Sequence, residues 1–131
     1  MEFDWSNKTI LIVEDEPANY YFVEKILKPT NVDIIRADNG LESIEKVKAI
    51  PIIDLVLMDI YMPVMDGFEA AREITKYRPE LPIIAQTCYE SQIEKEKLEQ
   101  ANFNAFIKKP ININKLLVIL EKYLGKEYHS I

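Results

Sequence analysis

The sequence predicts a doubly wound α/β fold: five parallel strands in the order 2-1-3-4-5, with helices on both faces of the sheet. Three observations predict it. Short, continuous apolar runs rich in β-branched residues recur along the chain, as strands buried on both faces require. Helical patterns with their own start signals separate those runs. The 131 residues fit one domain at roughly 100–200 residues per domain. A chain of that size buries about two-thirds of its unfolded surface.

The elements follow in order. Ile10-Leu11-Ile12-Val13 is the first strand and ends abruptly at Glu14-Asp15. Pro17 suits the first turn of a helix running to Leu27, where its missing N–H is no loss. Val32-Asp33-Ile34-Ile35-Arg36 is more mixed, as an edge strand would be. Leu55-Val56-Leu57-Met58 is the third strand and stops at Asp59. Ile83-Ile84-Ala85 leads to Thr87, and Ala105-Phe106-Ile107 leads to Lys108-Lys109-Pro110. Asn39, Asp66 and Ser91 each stand three residues before a glutamate, the signature of a capped helix start. The fourth helix, about 91–100, is polar, with Ile93 and Leu98 as its apolar anchors. Ile113, Leu116, Leu117, Leu120 and Leu124 form the stripe of the last helix, and Gly125 stops it. Strands alternating with helices imply right-handed βαβ units. Strand order is not readable from spacing; the doubly wound order 2-1-3-4-5 is the natural choice, with the mixed second strand at an edge. Residues 1–131 read as a single domain with its core at about 8–124, a short N-terminal arm and a C-terminal tail.

Composition removes several classes of function. The chain is 48% hydrophobic and 29% charged, near globular averages and unlike a disordered or collagenous chain. Its 22 acidic against 16 basic residues give a net charge of −6, which repels phosphate backbones and argues against direct nucleic-acid binding. No apolar run approaches the roughly 20 residues that span a bilayer. Met1-Glu2-Phe3-Asp4-Trp5 lacks the basic-then-apolar order of a signal peptide. The single cysteine, Cys88, forms no internal disulfide and reads as a small packed side chain. The expectation is a cytoplasmic protein.

The chemistry lies where the strands end. In a parallel sheet all carboxyl ends share one edge, and ligands bind at the switch point between strands 1 and 3. Glu14, Asp15 and Asp59 therefore meet across that crevice, with Thr87 and Lys109 arriving from strands 4 and 5. Two such carboxylates at 4 Å repel by about 4 kcal/mol at an effective dielectric of 20. Either a proton is shared or a cation binds. Hard oxygen ligands beside a phosphate favour Mg2+. The lysine offers a point charge to a phosphoryl oxygen and the threonine a hydroxyl donor. A carboxylate can itself be the nucleophile, forming an aspartyl phosphate. The residues thus read as a Mg2+-dependent phosphoryl acceptor site.

Over about residues 8–124 the sequence resembles the receiver (response-regulator) domain of two-component signalling. The resemblance is carried by Ile10 to Glu16, by Met58-Asp59-Ile60-Tyr61-Met62-Pro63-Val64-Met65-Asp66-Gly67, by Thr87, and by Phe106-Ile107-Lys108-Lys109-Pro110. It implies the flavodoxin-like fold, with Asp59 as phosphoacceptor and Mg2+ bound by Asp15, Asp59 and the Tyr61 main-chain carbonyl. Glu14 stands where an aspartate is frequent and would reach the metal through water. Lys109, before the proline, is the family's lysine; its bond to Pro110 is expected to be cis, and Lys108 to be solvated.

The resemblance also implies a switch. Phosphorylation draws Thr87 inward, Phe106 follows, and the face made by strand 4, helix 4 and strand 5 changes its partner. Phe106 lacks the hydroxyl of the more common tyrosine. Tyr61 and Tyr89 border the approach of water and would slow hydrolysis of the phosphoryl group. His129, the only histidine, lies in the tail, so the phosphodonor is another molecule: a histidine kinase, a phosphotransfer protein or a small phosphate ester. A homodimer formed on phosphorylation is left open, as is the choice between a stand-alone regulator and the receiver of a hybrid histidine kinase. The start Glu14 to Asn19 looks more like the hybrid-kinase receivers. Such a domain is a phosphoacceptor rather than an enzyme in its own right. The rival reading, a flavodoxin-like small-molecule binding protein, needs a phosphate-cradling loop after strand 1; Glu14-Asp15-Glu16-Pro17 is acidic there instead.

Overall fold

Five strands, β1 (Thr9–Val13), β2 (Asp33–Ala37), β3 (Leu55–Asp59), β4 (Ile83–Thr87) and β5 (Ala105–Lys108), pair in parallel in the order β2-β1-β3-β4-β5. The structure is a computed structural model and describes residues 3–88 and 91–125. The predicted order and the edge position of β2 are both present. Helices α1 (Pro17–Leu27), α2 (Gly40–Ala49), α3 (Gly67–Tyr77), α4 (Gln92–Glu99) and α5 (Ile113–Leu124) join the strands. Among the described residues no helix is long and apolar enough to cross a membrane.

Strand alternation sorts the apolar side chains into two layers. Ile10, Ile12, Leu55, Leu57 and Ile84 face Val23 and Leu27 of α1 and Leu116, Leu120 and Leu124 of α5. Leu11, Val13, Val56, Met58 and Ile83 face Val47 of α2 and Ala70, Ala71 and Ile74 of α3. Each fully buried aliphatic side chain contributes about 1.5–3 kcal/mol, so the two layers fix the register of the sheet. The register aligns the carboxyl ends: Val13 pairs with Met58, Asp59 with Gln86, and Thr87 with Lys108.

The helix starts form as their sequences require. Asn39 Oδ1 accepts the Glu42 N–H at 2.9 Å, Asp66 Oδ1 that of Glu69 at 2.9 Å, and Ser91 Oγ that of Glu94 at 3.2 Å. Each cap contributes about 1 kcal/mol. Asn112 caps α5 in the same way, at 3.0 Å to the Lys115 N–H. Pro17 opens α1, and the chain runs on from Leu27 through a 3-10 turn at Lys28–Thr30.

Four expectations are corrected. Ile113 is half exposed, because it lies in the first turn of α5 and outside the sheet's cover; the buried stripe is Leu116, Leu120 and Leu124. Ile93 is 79% exposed, which leaves Leu98 as the one buried residue of α4. Cys88 is exposed rather than packed, since β4 ends at Thr87 and the chain there leaves the sheet. The N-terminal arm belongs to the core. Trp5 is fully buried, its N–H donates to the Thr30 carbonyl at 2.7 Å, and its indole N–H donates to the Gly125 carbonyl at 3.1 Å. The Phe3 ring stacks on it at 4.8 Å.

Candidate functional site

β1 and β3 are neighbours, so the residues that follow or close them meet at one edge. Carboxylate oxygens of Glu14, Asp15 and Asp59 all lie within 4.8 Å of one another. Glu14 and Asp59 are buried and Asp15 is exposed. The Lys109 ammonium stands 3.3 Å from Asp59 Oδ1 and 3.3 Å from Glu14 Oε1. Glu14 Oε2 accepts the Glu16 N–H at 3.2 Å. Both Glu14 oxygens are thus engaged by the protein.

The charges shift as this crowding dictates. Burial first, and the Asp59 carboxylate next, push the Glu14 carboxyl up to about 7 against the pull of Lys109. Burial works against the charged form of Lys109, but Asp59 and Glu14 outweigh it and hold the ammonium above its ordinary value. Three carboxylates cluster here, and the Lys109 ammonium pairs with two of them, Glu14 and Asp59. The donor set is hard oxygen, partly buried and short of positive charge, which fits a small divalent cation such as Mg2+.

Backbone contacts hold the frame. The Lys109 N–H donates to the Thr87 carbonyl at 2.6 Å, tying the end of β5 to β4, and the Lys109–Pro110 bond is cis as expected. The Gly67 N–H donates to the Ile60 carbonyl at 2.7 Å. A Cβ at Gly67 would stand 2.5 Å from the Asp59 carbonyl oxygen, so only glycine lets α3 start this close to Asp59. Pattern reasoning reads the Asp66-Gly67 pair as a helix start alone and misses this support.

Thr87 is buried at the end of β4. Phe106 is half-buried and packs against the small cluster of Ile60, Ala85 and Leu98. Lys108 is exposed. Tyr61 is 54% exposed, and its hydroxyl donates to Glu94 Oε2 at 3.4 Å, so the ring reaches from the loop after β3 to the first turn of α4. Burial and the Glu94 carboxylate raise its pKa. Tyr89 and His129 lie outside the described residues. The placement of two residues has no sequence signal. Arg36 lies over the Tyr20 ring at 4.4 Å and donates to the Glu14 carbonyl at 3.4 Å. Gln86 is buried one residue before Thr87.

Comparison with known proteins gives a consistent result. The model of the response regulator receiver domain family matches residues 10–121. The sensor histidine kinase GacS of Pseudomonas protegens is 31% identical over 121 residues, which cover 88% of this chain and 13% of GacS. The chain thus spans about an eighth of that relative's length. The receiver domain of sensor histidine kinase PA1611 from Pseudomonas aeruginosa, solved with a magnesium ion in its active site cleft, superposes with a TM-score of 0.83 at 31% identity, covering 90% of this chain and 98% of that one. The receiver domain of Ssk1 from Saccharomyces cerevisiae, solved with the histidine phosphotransfer protein Ypd1, gives a TM-score of 0.80 at 27% identity, covering 89% and 88%. With its sheet order, its acidic crevice and a family match over most of its length, this chain belongs to the response regulator receiver domain family of two-component signalling.

Proposed function

We propose that Asp59 accepts a phosphoryl group from a phosphohistidine on a histidine kinase or phosphotransfer protein. The observation that carries this reading is the buried Asp59 carboxylate, 3.3 Å from the Lys109 ammonium, in a cluster of hard oxygen donors. Asp15, Asp59 and the Tyr61 main-chain carbonyl would hold Mg2+, with Glu14 acting through water, and the ion would neutralise charge on the phosphoryl oxygens. The PA1611 receiver, with magnesium in its cleft, supports this assignment.

An Asp59 oxygen attacks phosphorus in line, forming the P–O bond as the P–N bond to imidazole breaks. Lys109 is already at the carboxylate and turns its ammonium to a phosphoryl oxygen as charge develops there. Thr87 donates its hydroxyl to a second oxygen, and Phe106 moves into the space this leaves. The β4–α4–β5 face then presents a changed surface to a downstream protein, or to a second copy of the chain. The domain serves as a phosphoacceptor in the cytoplasm. The Ypd1–Ssk1 pair supports a protein phosphodonor. The similarity to GacS supports the hybrid-kinase setting over a stand-alone regulator.

Transfer of labelled phosphate from an autophosphorylated histidine kinase tests the reading. Label should pass to the parent chain in the presence of Mg2+ and not to Asp59→Asn. Equal labelling of both would overturn it.

A further inference from the structure

Gln86 is fully buried in β4, yet neither its side-chain Nε2 nor its Oε1 has a hydrogen-bond partner. Buried polar groups are almost always paired, because an orphan loses its hydration and gains nothing in return. The alternation of β4 turns Gln86 to the same side as Ile84, towards α1 and α5. A cavity of about 100 Å³ lies there, lined by Asn19 and Phe22 of α1, by Gln86, and by Lys109, Pro110 and Ile111 after β5. Its rim is open, with Asn19, Phe22 and Pro110 all exposed. A single water needs roughly 10–15 Å³, so the space suits a group of several heavy atoms.

The lining selects the chemistry. Phe22, Pro110 and Ile111 are apolar walls, and the Lys109 ammonium is already paired with Asp59 and Glu14. The unpaired carboxamide of Gln86 offers one donor and one acceptor side by side. Its complement is a second carboxamide, which closes two coplanar hydrogen bonds. A carboxylate has no donor to give, and an ammonium has no acceptor. We propose that this cavity binds a neutral primary carboxamide, paired with Gln86 once the half-exposed Phe22 ring swings outward. The group comes either from a free small amide or from an asparagine or glutamine side chain of a protein docked beside Asp59.

Titration with acetamide, followed through the side-chain amide signals of Gln86 and Asn19 in 15N-labelled protein, tests the proposal. Acetamide should shift both signals saturably, and acetate should bind at least tenfold more weakly. Gln86→Met should abolish the Asn19 shift while melting no lower than the parent, because the change removes two unpaired atoms. N-acetylasparagine methylamide binding more tightly than acetamide, with the alanine analogue silent, assigns the group to a protein partner; the reverse order assigns it to a free amide. Absence of a saturable shift, equal binding of acetate, or an unchanged Asn19 shift in the Met variant would overturn the site. None of these readouts depends on phosphorylation of Asp59, so either proposal can fail alone.

Discussion

The Lys109 ammonium lies 3.3 Å from Asp59 Oδ1 while the same nitrogen holds Glu14 Oε1 at 3.3 Å. One cation therefore serves two buried carboxylates, and under the proposed function it would meet the charge that develops on a transferred phosphoryl group. Lys109→Met keeps the aliphatic stem and removes the charge. Its rate of phosphorylation by acetyl phosphate should fall by about 100-fold, roughly 2.7 kcal/mol of barrier. A rate within threefold of the parent at saturating Mg2+ would show that the ammonium does not act on the phosphoryl group.

Glu14 gives the apoprotein a pH dependence with a definite sign. Its carboxyl rises from 4.5 to about 7 in the folded state. Between those values the folded chain keeps a proton that the unfolded chain has released, so stability falls as pH rises. The contribution is fully present below about 4.5 and gone above about 7. Urea midpoints in metal-free buffer across this range should decline more steeply for the parent than for Glu14→Gln. Parallel curves would mean that Glu14 is ionised throughout.

Trp5 closes the end of the sheet opposite the acidic crevice, between the turn after α1 and the end of α5. Trp5→Ala leaves a large cavity and should cost about 3–5 kcal/mol, or roughly 10–20 °C in melting temperature. Phosphorylation of the folded variant should be unchanged, as the substitution touches nothing at the site.

Tyr61 and α4 are linked through Glu94, and α4 has little else to hold it. Leu98 is its one buried residue, and Lys97 lies over the Phe68 ring at 4.3 Å. Tyr61→Asn should speed loss of phosphate from Asp59 by about tenfold, roughly 1.4 kcal/mol, by opening the approach of water. Tyr61→Phe keeps the ring, so its phosphate lifetime should match the parent while hydrogen exchange in α4 quickens. Equal lifetimes in all three proteins would remove Tyr61 from the control of water access.

Much of this was legible in the sequence, for physical reasons. A parallel sheet buried on both faces writes its strands as apolar runs, and it must bring Asp15, Asp59, Thr87 and Lys109 to one edge whatever lies between them. Caps such as Asn39, Asp66 and Ser91 act within one helical turn, so local spacing reveals them. Ile93 and Ile113 misled because an apolar residue in a helix's first turn obeys the period while lying beyond the sheet. Trp5 carries no periodicity, and its burial depends on Thr30 and Gly125, both distant in sequence. The double pairing of Lys109 and the support of Asp59 by Gly67 are matters of ångströms. Composition and spacing do not reach that scale.

The most direct test is the mass of the chain after incubation with acetyl phosphate and Mg2+, followed by mapping of the modified residue. The account predicts one phosphoryl group per chain, on Asp59, lost on chelation of the metal before the reaction and absent from Asp59→Asn. A phosphoryl group on any other residue, or equal modification of Asp59→Asn, would contradict it.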